Sequence, residues 1–117
     1  MITEDYVSFE IAKLLKEKGF NPIYCGMYYS IETGKRTTEL LTSLVSCPTL
    51  QMAMKWLREV HNIFICVLFL EESGGYGYTI ENIIKKKYIT TSKNSSYKEP
   101  EKACEAAIKY CLENLIK

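Results

Sequence analysis

The sequence predicts an α+β fold, a single domain of three helices packed on an antiparallel sheet of three to five strands. Three observations lead there. Apolar residues recur at helical spacing in three separate segments, 3–18, 49–60 and 98–116. Between them lie stretches rich in aromatic and β-branched residues, divided by glycine-bearing turns. A chain of 117 residues is long enough to bury one sizeable core, whereas two would each be marginal.

The first helix is expected over 3–18. Thr3 stands before Glu4 and Asp5, a capping hydroxyl followed by the charges that a helix N-terminus favours. Val7, Ile11, Leu14 and Leu15 form its apolar side, with Glu10, Lys13, Lys16 and Glu17 opposite. Gly19 ends it, with Pro22 just beyond. Residues 23–31 read as a strand, and Glu32 to Lys35 as a turn, so a hairpin forms around Gly34. Its second arm falls within 36–45, although Thr38-Glu39-Leu40-Leu41 equally suits the start of a helix. Residues 1–47 are thus a helix plus a hairpin, and 49–117 a helix–three-strand–helix unit.

Thr49 caps the second helix, which runs to about Val60. Its polar residues make one stripe of Gln51, Lys55, Arg58 and Glu59, continued by Asn62. So narrow a wet face predicts a helix buried on most of its circumference, at the centre of the core. Ile63 to Leu70 is an unbroken apolar run, which predicts an interior strand covered on both faces. Ser73-Gly74-Gly75 turns the chain. Tyr76, Tyr78 and Ile80 then alternate with Gly77, Thr79 and Glu81, and a third strand follows at 88–91. In the last helix Ser96 and Glu99 make a capping box, unless the helix begins later with Pro100 at its first position. Its apolar face is Cys104, Ala107, Ile108, Cys111, Leu112 and Leu115. A five-residue echo between Lys13–Glu17 and Lys55–Glu59 hints at an internal repeat.

Composition excludes several classes. With 47% apolar and 25% charged residues the chain is globular rather than disordered, collagenous or coiled-coil. Fifteen basic against fourteen acidic residues leave a net charge of +1, which gives no global attraction to nucleic acid or membrane. The five cysteines are odd in number and lack metal-ligand spacing, and each has apolar neighbours. They are expected as free thiols in a reducing, cytoplasmic setting. Acidic Glu4 and Asp5 stand where a secretory signal would carry basic residues, so no signal peptide is expected, and the longest apolar run, Ile63 to Leu70, falls well short of the roughly 20 residues of a membrane span.

No catalytic, cofactor-binding or metal site is expected from these residues. The one histidine, His61, and Cys66 are too far apart along a strand to bond locally, so a helix-end histidine is the reading and a small thiol enzyme the least favoured class. Gly74-Gly75-Tyr76-Gly77 lacks the lysine and helix of a phosphate loop. The order of elements in 49–117 matches that of a double-stranded-RNA-binding domain, which makes Lys85, Lys86, Lys87, Lys93, Lys98 and Lys102 candidate phosphate contacts. Acids interleave with the lysines at 98–102, so nucleic-acid binding is the alternative reading. Nine tyrosines are the remaining anomaly, and Tyr76, Tyr78 and Tyr88 are candidates for a protein-binding sheet face. The favoured function is a non-enzymatic accessory or interaction protein with an unknown protein partner or a second copy of itself.

Three stretches bear a resemblance. They are 1–10 with Ala12-Lys-Leu-Leu-Lys-Glu-Lys-Gly-Phe20, Pro48-Thr-Leu-Gln-Met-Ala-Met-Lys-Trp-Leu-Arg-Glu-Val-His61, and Ala103-Cys-Glu-Ala-Ala-Ile-Lys-Tyr-Cys-Leu-Glu-Asn-Leu-Ile116. Together they resemble a group of small uncharacterised proteins that look like prophage or mobile-element cargo of gut bacteria. The likeness covers the three helices, and Pro100 departs from the acidic residue expected there. It implies no assigned activity.

Overall fold

Side-chain oxygens of Ser8 and Thr49 start the first two helices. In the computed structural model, which describes residues 5–22, 25–39, 43–92 and 96–116, helix α1 spans Phe9–Glu17 and the Ser8 hydroxyl accepts from the Ile11 N–H at 3.3 Å. The helix thus begins later than a Thr3 cap implies, and Thr3 lies outside the described residues. The cause is a competing use of the backbone before it. Tyr6 makes an antiparallel bridge with Thr49, Val7 N–H donates to Pro48 and Leu50 N–H to Asp5, which holds 5–7 extended. At the other end Gly19 adopts φ 105°, and the Gly19 and Phe20 N–H groups close back on Lys16 and Leu15.

Helix α2 spans Leu50–His61, with the Thr49 hydroxyl accepting from Met52 N–H at 3.2 Å. Only Leu50, Ala53 and Leu57 are buried, and Val60 is 58% exposed. The helix is therefore not enclosed at the centre of the core. Its one buried stripe packs on α3 and on β4, and nothing among the described residues covers Val60. Trp56 instead stacks with Phe20 at 5.2 Å and meets His61 edge-on at 4.6 Å. Helix α3 spans Pro100–Asn114 with Pro100 in its first turn, where a missing N–H costs nothing. No capping box forms: Glu99 makes no side-chain cap, and Ser96 Oγ pairs with Ser73 Oγ at 3.0 Å.

The strands form two antiparallel three-stranded sheets, where one sheet was expected. In the smaller, β1 (Tyr28–Ser30) lies between β2 (Arg36–Thr37) and β3 (Leu44–Ser46). The hairpin around Gly34 is present, and 36–45 holds two short strands instead of one arm, with 40–42 outside the described residues. The larger sheet has the order β4 (Ile63–Leu70), β5 (Gly75–Asn82), β6 (Lys87–Thr91). The apolar run 63–70 is consequently an edge strand, and β5 is the interior one. Helices α2 and α3 pack on one face of this sheet and bury Ile63, Ile65, Tyr78 and Ile80.

A single buried cluster joins the two sheets through α1 and α3, with Val7, Ile11, Leu15, Leu57, Ile80, Ile108 and Leu112 at its heart. Polar links reinforce the α1–α3 contact: Ser8 N–H donates to Glu105 Oε1 at 3.0 Å, and Lys109 Nζ lies 2.9 Å from Glu10 Oε1. The molecule measures 45 × 33 × 23 Å. No described helix is long and apolar enough to cross a membrane.

Candidate interaction surface

Strand geometry sorts the larger sheet into two faces, because successive side chains point opposite ways. The register pairs Phe64 with Glu81, Cys66 with Thr79, Val67 with Tyr78, Leu68 with Gly77 and Phe69 with Tyr76. On β6, Tyr88 pairs with Glu81 and Thr91 with Thr79, past a bulge at Ile80/Glu81. Val67, Tyr76 and Tyr78 therefore belong to the helix-covered face. Phe64, Cys66, Leu68, Thr79, Glu81 and Tyr88 belong to the other face, which carries no helix.

That open face is apolar at its rows' outer positions. Phe64 is 42%, Leu68 38% and Tyr88 70% exposed. The Ser92 hydroxyl and the Leu70 side chain both lean over Gly77, so this row carries Leu68 and Leu70 beside one hydroxyl. The sheet is also polarised along its strands. Lys85, Lys86 and Lys87 surround the β5–β6 turn beside Ile63, while Glu71 and Glu72 occupy the β4–β5 turn at the far end. Eight residues of β4 separate the two ends, about 26 Å at 3.3 Å per residue.

The three tyrosines singled out from sequence do not share this surface. Tyr78 is only 8% exposed and packs beneath α3 near Tyr97, with a ring distance of 6.4 Å. Tyr76 is half-buried, with its ring against Phe69 at 5.5 Å and its backbone paired to Tyr97. Tyr88 alone lies on the open face. Phe64 and Leu68 were missed, since an unbroken apolar run hides which of its residues face solvent. The signal was in the partner strands, where Thr79 and Glu81 alternate with Tyr78 and Ile80 and mark one face as wet.

The candidate lysines also separate. Lys98 follows Tyr97, which pairs with Tyr76 near the start of β5, whereas Lys85 to Lys87 lie past its end. The two groups thus sit at opposite ends of the sheet. Lys102 is exposed on the first turn of α3, and Lys93 lies outside the described residues.

His61 and Cys66 are not brought together. His61 packs on Trp56 with its Nε2 buried and unpartnered, while Cys66 belongs to the open face of the sheet. A cavity of about 510 Å³ opens between the starts of α2 and α3, floored by Leu50, Met54, Val67 and Cys104. Its one cysteine, Cys104, is 4% exposed with its thiol pushed up to about 12 by burial. Such a thiol is a packing group and a poor nucleophile. Burial likewise holds Cys111 at about 12 and Cys47 at about 11. Beside Cys47, Tyr29 is raised to about 12, mainly by burial, and its hydroxyl donates to Val7 C=O at 2.6 Å. Among the described residues no three His, Cys, Asp or Glu side chains are grouped to hold a metal ion. Compared with protein-family models, with curated proteins and with solved structures, the chain matches none of them.

Proposed function

We propose that the protein is a non-enzymatic, cytoplasmic interaction module that docks a protein partner through the open face of the β4–β5–β6 sheet. One observation carries this reading. Phe64, Leu68 and Tyr88 are all exposed on a single strand-paired surface whose opposite side holds the core. Apolar residues gathered on one rigid face mark an interaction site more strongly than the same residues scattered. The flanking charges, basic at one end and acidic at the other, favour a partner of mixed charge over a uniformly acidic polymer. Nucleic-acid binding is the weaker reading for the same reason: the lysines it needs are divided between the two ends of the sheet, and a duplex backbone rewards a continuous basic track.

The test is site-specific photocrosslinking in cells. A benzophenone amino acid at position 64 or 88 should capture protein, and the same probe at Gln51 or Lys55, exposed on α2, should not. Equal capture at all four positions, or none at 64 and 88, rejects the reading.

A further inference from the structure

We infer that the occupant of the open sheet face is a second copy of this chain, packed face to face about a two-fold axis that crosses the strands near Cys66. This rests on the interaction reading above and adds the partner's identity and orientation. A symmetric pair must bring the same surface of both copies together. For two stacked sheets only two such arrangements keep the strands roughly aligned, and they differ in the direction of the axis.

If the axis ran along the strands, each residue row would face its own equivalent row. Glu81 would then oppose Glu81 of the other copy, and the Lys85–Lys87 turn would meet its own like-charged image. If the axis instead runs across the strands, the rows exchange about the middle one. That middle row is Cys66, Thr79 and Thr91, all small side chains. The row of Phe64, Glu81 and Tyr88 then faces the row of Leu68 and Gly77 of the other copy. Phe64 meets Leu68, two exposed apolar groups that each lose water. Glu81 faces a glycine rather than a carboxylate. The basic 85–87 end lies against the acidic Glu71–Glu72 end, twice over. Lys87 pairs with Asn82 and belongs to the helix-covered face, so the turn lysines Lys85 and Lys86, partly offset by Glu81, are the positive charges that meet Glu71 and Glu72. The charge pattern is self-complementary in this arrangement and self-repelling in the other.

The crossing axis makes a specific geometric statement about one atom type. Cys66 faces Cys66, whereas in the other arrangement it faces β6. Sheets stack about 10 Å apart, so the two Cys66 backbones are too distant for a disulfide, while a short bismaleimide spans the gap.

The experiment uses the purified full chain. Sedimentation across a concentration series should move the mass from 13.5 kDa towards twice that value. Bismaleimide should yield a covalent dimer that Cys66→Ala abolishes. Leu68→Glu, at a part-exposed position that leaves folding intact by circular dichroism, should weaken association by at least about tenfold. Charge reversal at the acidic end (Glu71→Lys with Glu72→Lys) should weaken association, and mixing with a Lys85→Glu/Lys86→Glu chain should recover hybrid dimers. A chain that stays monomeric throughout overturns the inference, as does a dimer that bismaleimide fails to bridge at Cys66. If the probe at position 64 captures a different protein while the purified chain is monomeric, the interaction reading stands and the second copy is excluded. If position 64 captures nothing and the chain is monomeric, both fall.

Discussion

Tyr78 and Tyr88 belong to neighbouring strands and have opposite fates, which makes their truncation a sharp test of the face assignment. Tyr78 is 8% exposed, shares the core with Ile80, Cys111 and Leu112, and points beneath α3. Replacing a buried aromatic ring by alanine costs about 3–5 kcal/mol, through lost transfer energy plus the cavity left behind. For a domain of this size each kcal/mol lowers Tm by about 4 °C, so Tyr78→Ala should fall by about 12–20 °C. That is a large share of a typical stability of about 5–15 kcal/mol. Tyr88 is 70% exposed, and Tyr88→Ala should stay within about 0.5 kcal/mol of the parent. Thermal melts followed by circular dichroism at low protein concentration, where self-association contributes nothing, give both numbers. Two variants with equal losses, or Tyr88→Ala as the more damaging one, would refute the assignment of faces and the reasoning built on it.

Alkaline pH should weaken the fold. Burial holds the Cys104 and Cys111 thiols at about 12, above their ordinary 9.0. Between those values the unfolded chain has released these protons and the folded chain keeps them. Stability is therefore undiminished below pH 9.0 and falls above it, by about 1.4 kcal/mol per pH unit for each thiol. Urea midpoints that match on either side of that pH would contradict this. In the dilute, monomeric chain native alkylation should modify the half-buried Cys25 and Cys66 first, with buried Cys47, Cys104 and Cys111 reacting only after denaturation, and mass spectrometry should find all five as thiols. Gly75→Ala should destabilise by about 1–3 kcal/mol, because its Cβ would stand 2.8 Å from the Tyr97 carbonyl oxygen. A melt unchanged by it would mean that the Tyr76–Tyr97 pairing yields freely. Thr49→Ala should cost about 1 kcal/mol through loss of the α2 cap, with Thr49→Asn largely neutral.

Local chemistry was legible in the sequence wherever one residue type settles the backbone. Thr49 caps α2, Gly19 closes α1, Pro100 opens α3, and the strand at 63–70 has the limits its apolar run marks out. What could not be read was which side of each apolar element would find a neighbour. Ile63 to Leu70 and the near-continuous apolar surface of α2 both implied enclosure, yet hydrophobicity records the wish for cover and not its supply. With both helices of the 49–117 unit on one face of a three-stranded sheet, Phe64 and Leu68 are left over. The start of α1 was misplaced for a different reason. Thr3 is a sound local cap, but the pairing of Tyr6 with Thr49 is a contact across more than forty positions that no window of sequence displays. Of the three sheet tyrosines, Tyr76 and Tyr78 belong to the helix-covered face and only Tyr88 lies on the candidate surface.

The contact between α1 and α3 has a consequence for synthesis. Ser8 and Glu105 are 97 positions apart, and the Glu10–Lys109 pair closes the same seam. As the chain leaves the ribosome, Ile11 and Leu15 of the first helix must wait for Ile108 and Leu112 of the last before their apolar sides are covered. Such late, non-local closure raises contact order and slows folding relative to a helical bundle of equal length. During that wait the nascent chain displays unsatisfied helix faces along with the Phe64–Leu68 strand, the circumstances in which aggregation competes and chaperones engage. A stalled chain ending before residue 100 should accordingly remain sensitive to protease across its whole length, the early α1 included, and become resistant in one step once α3 has emerged.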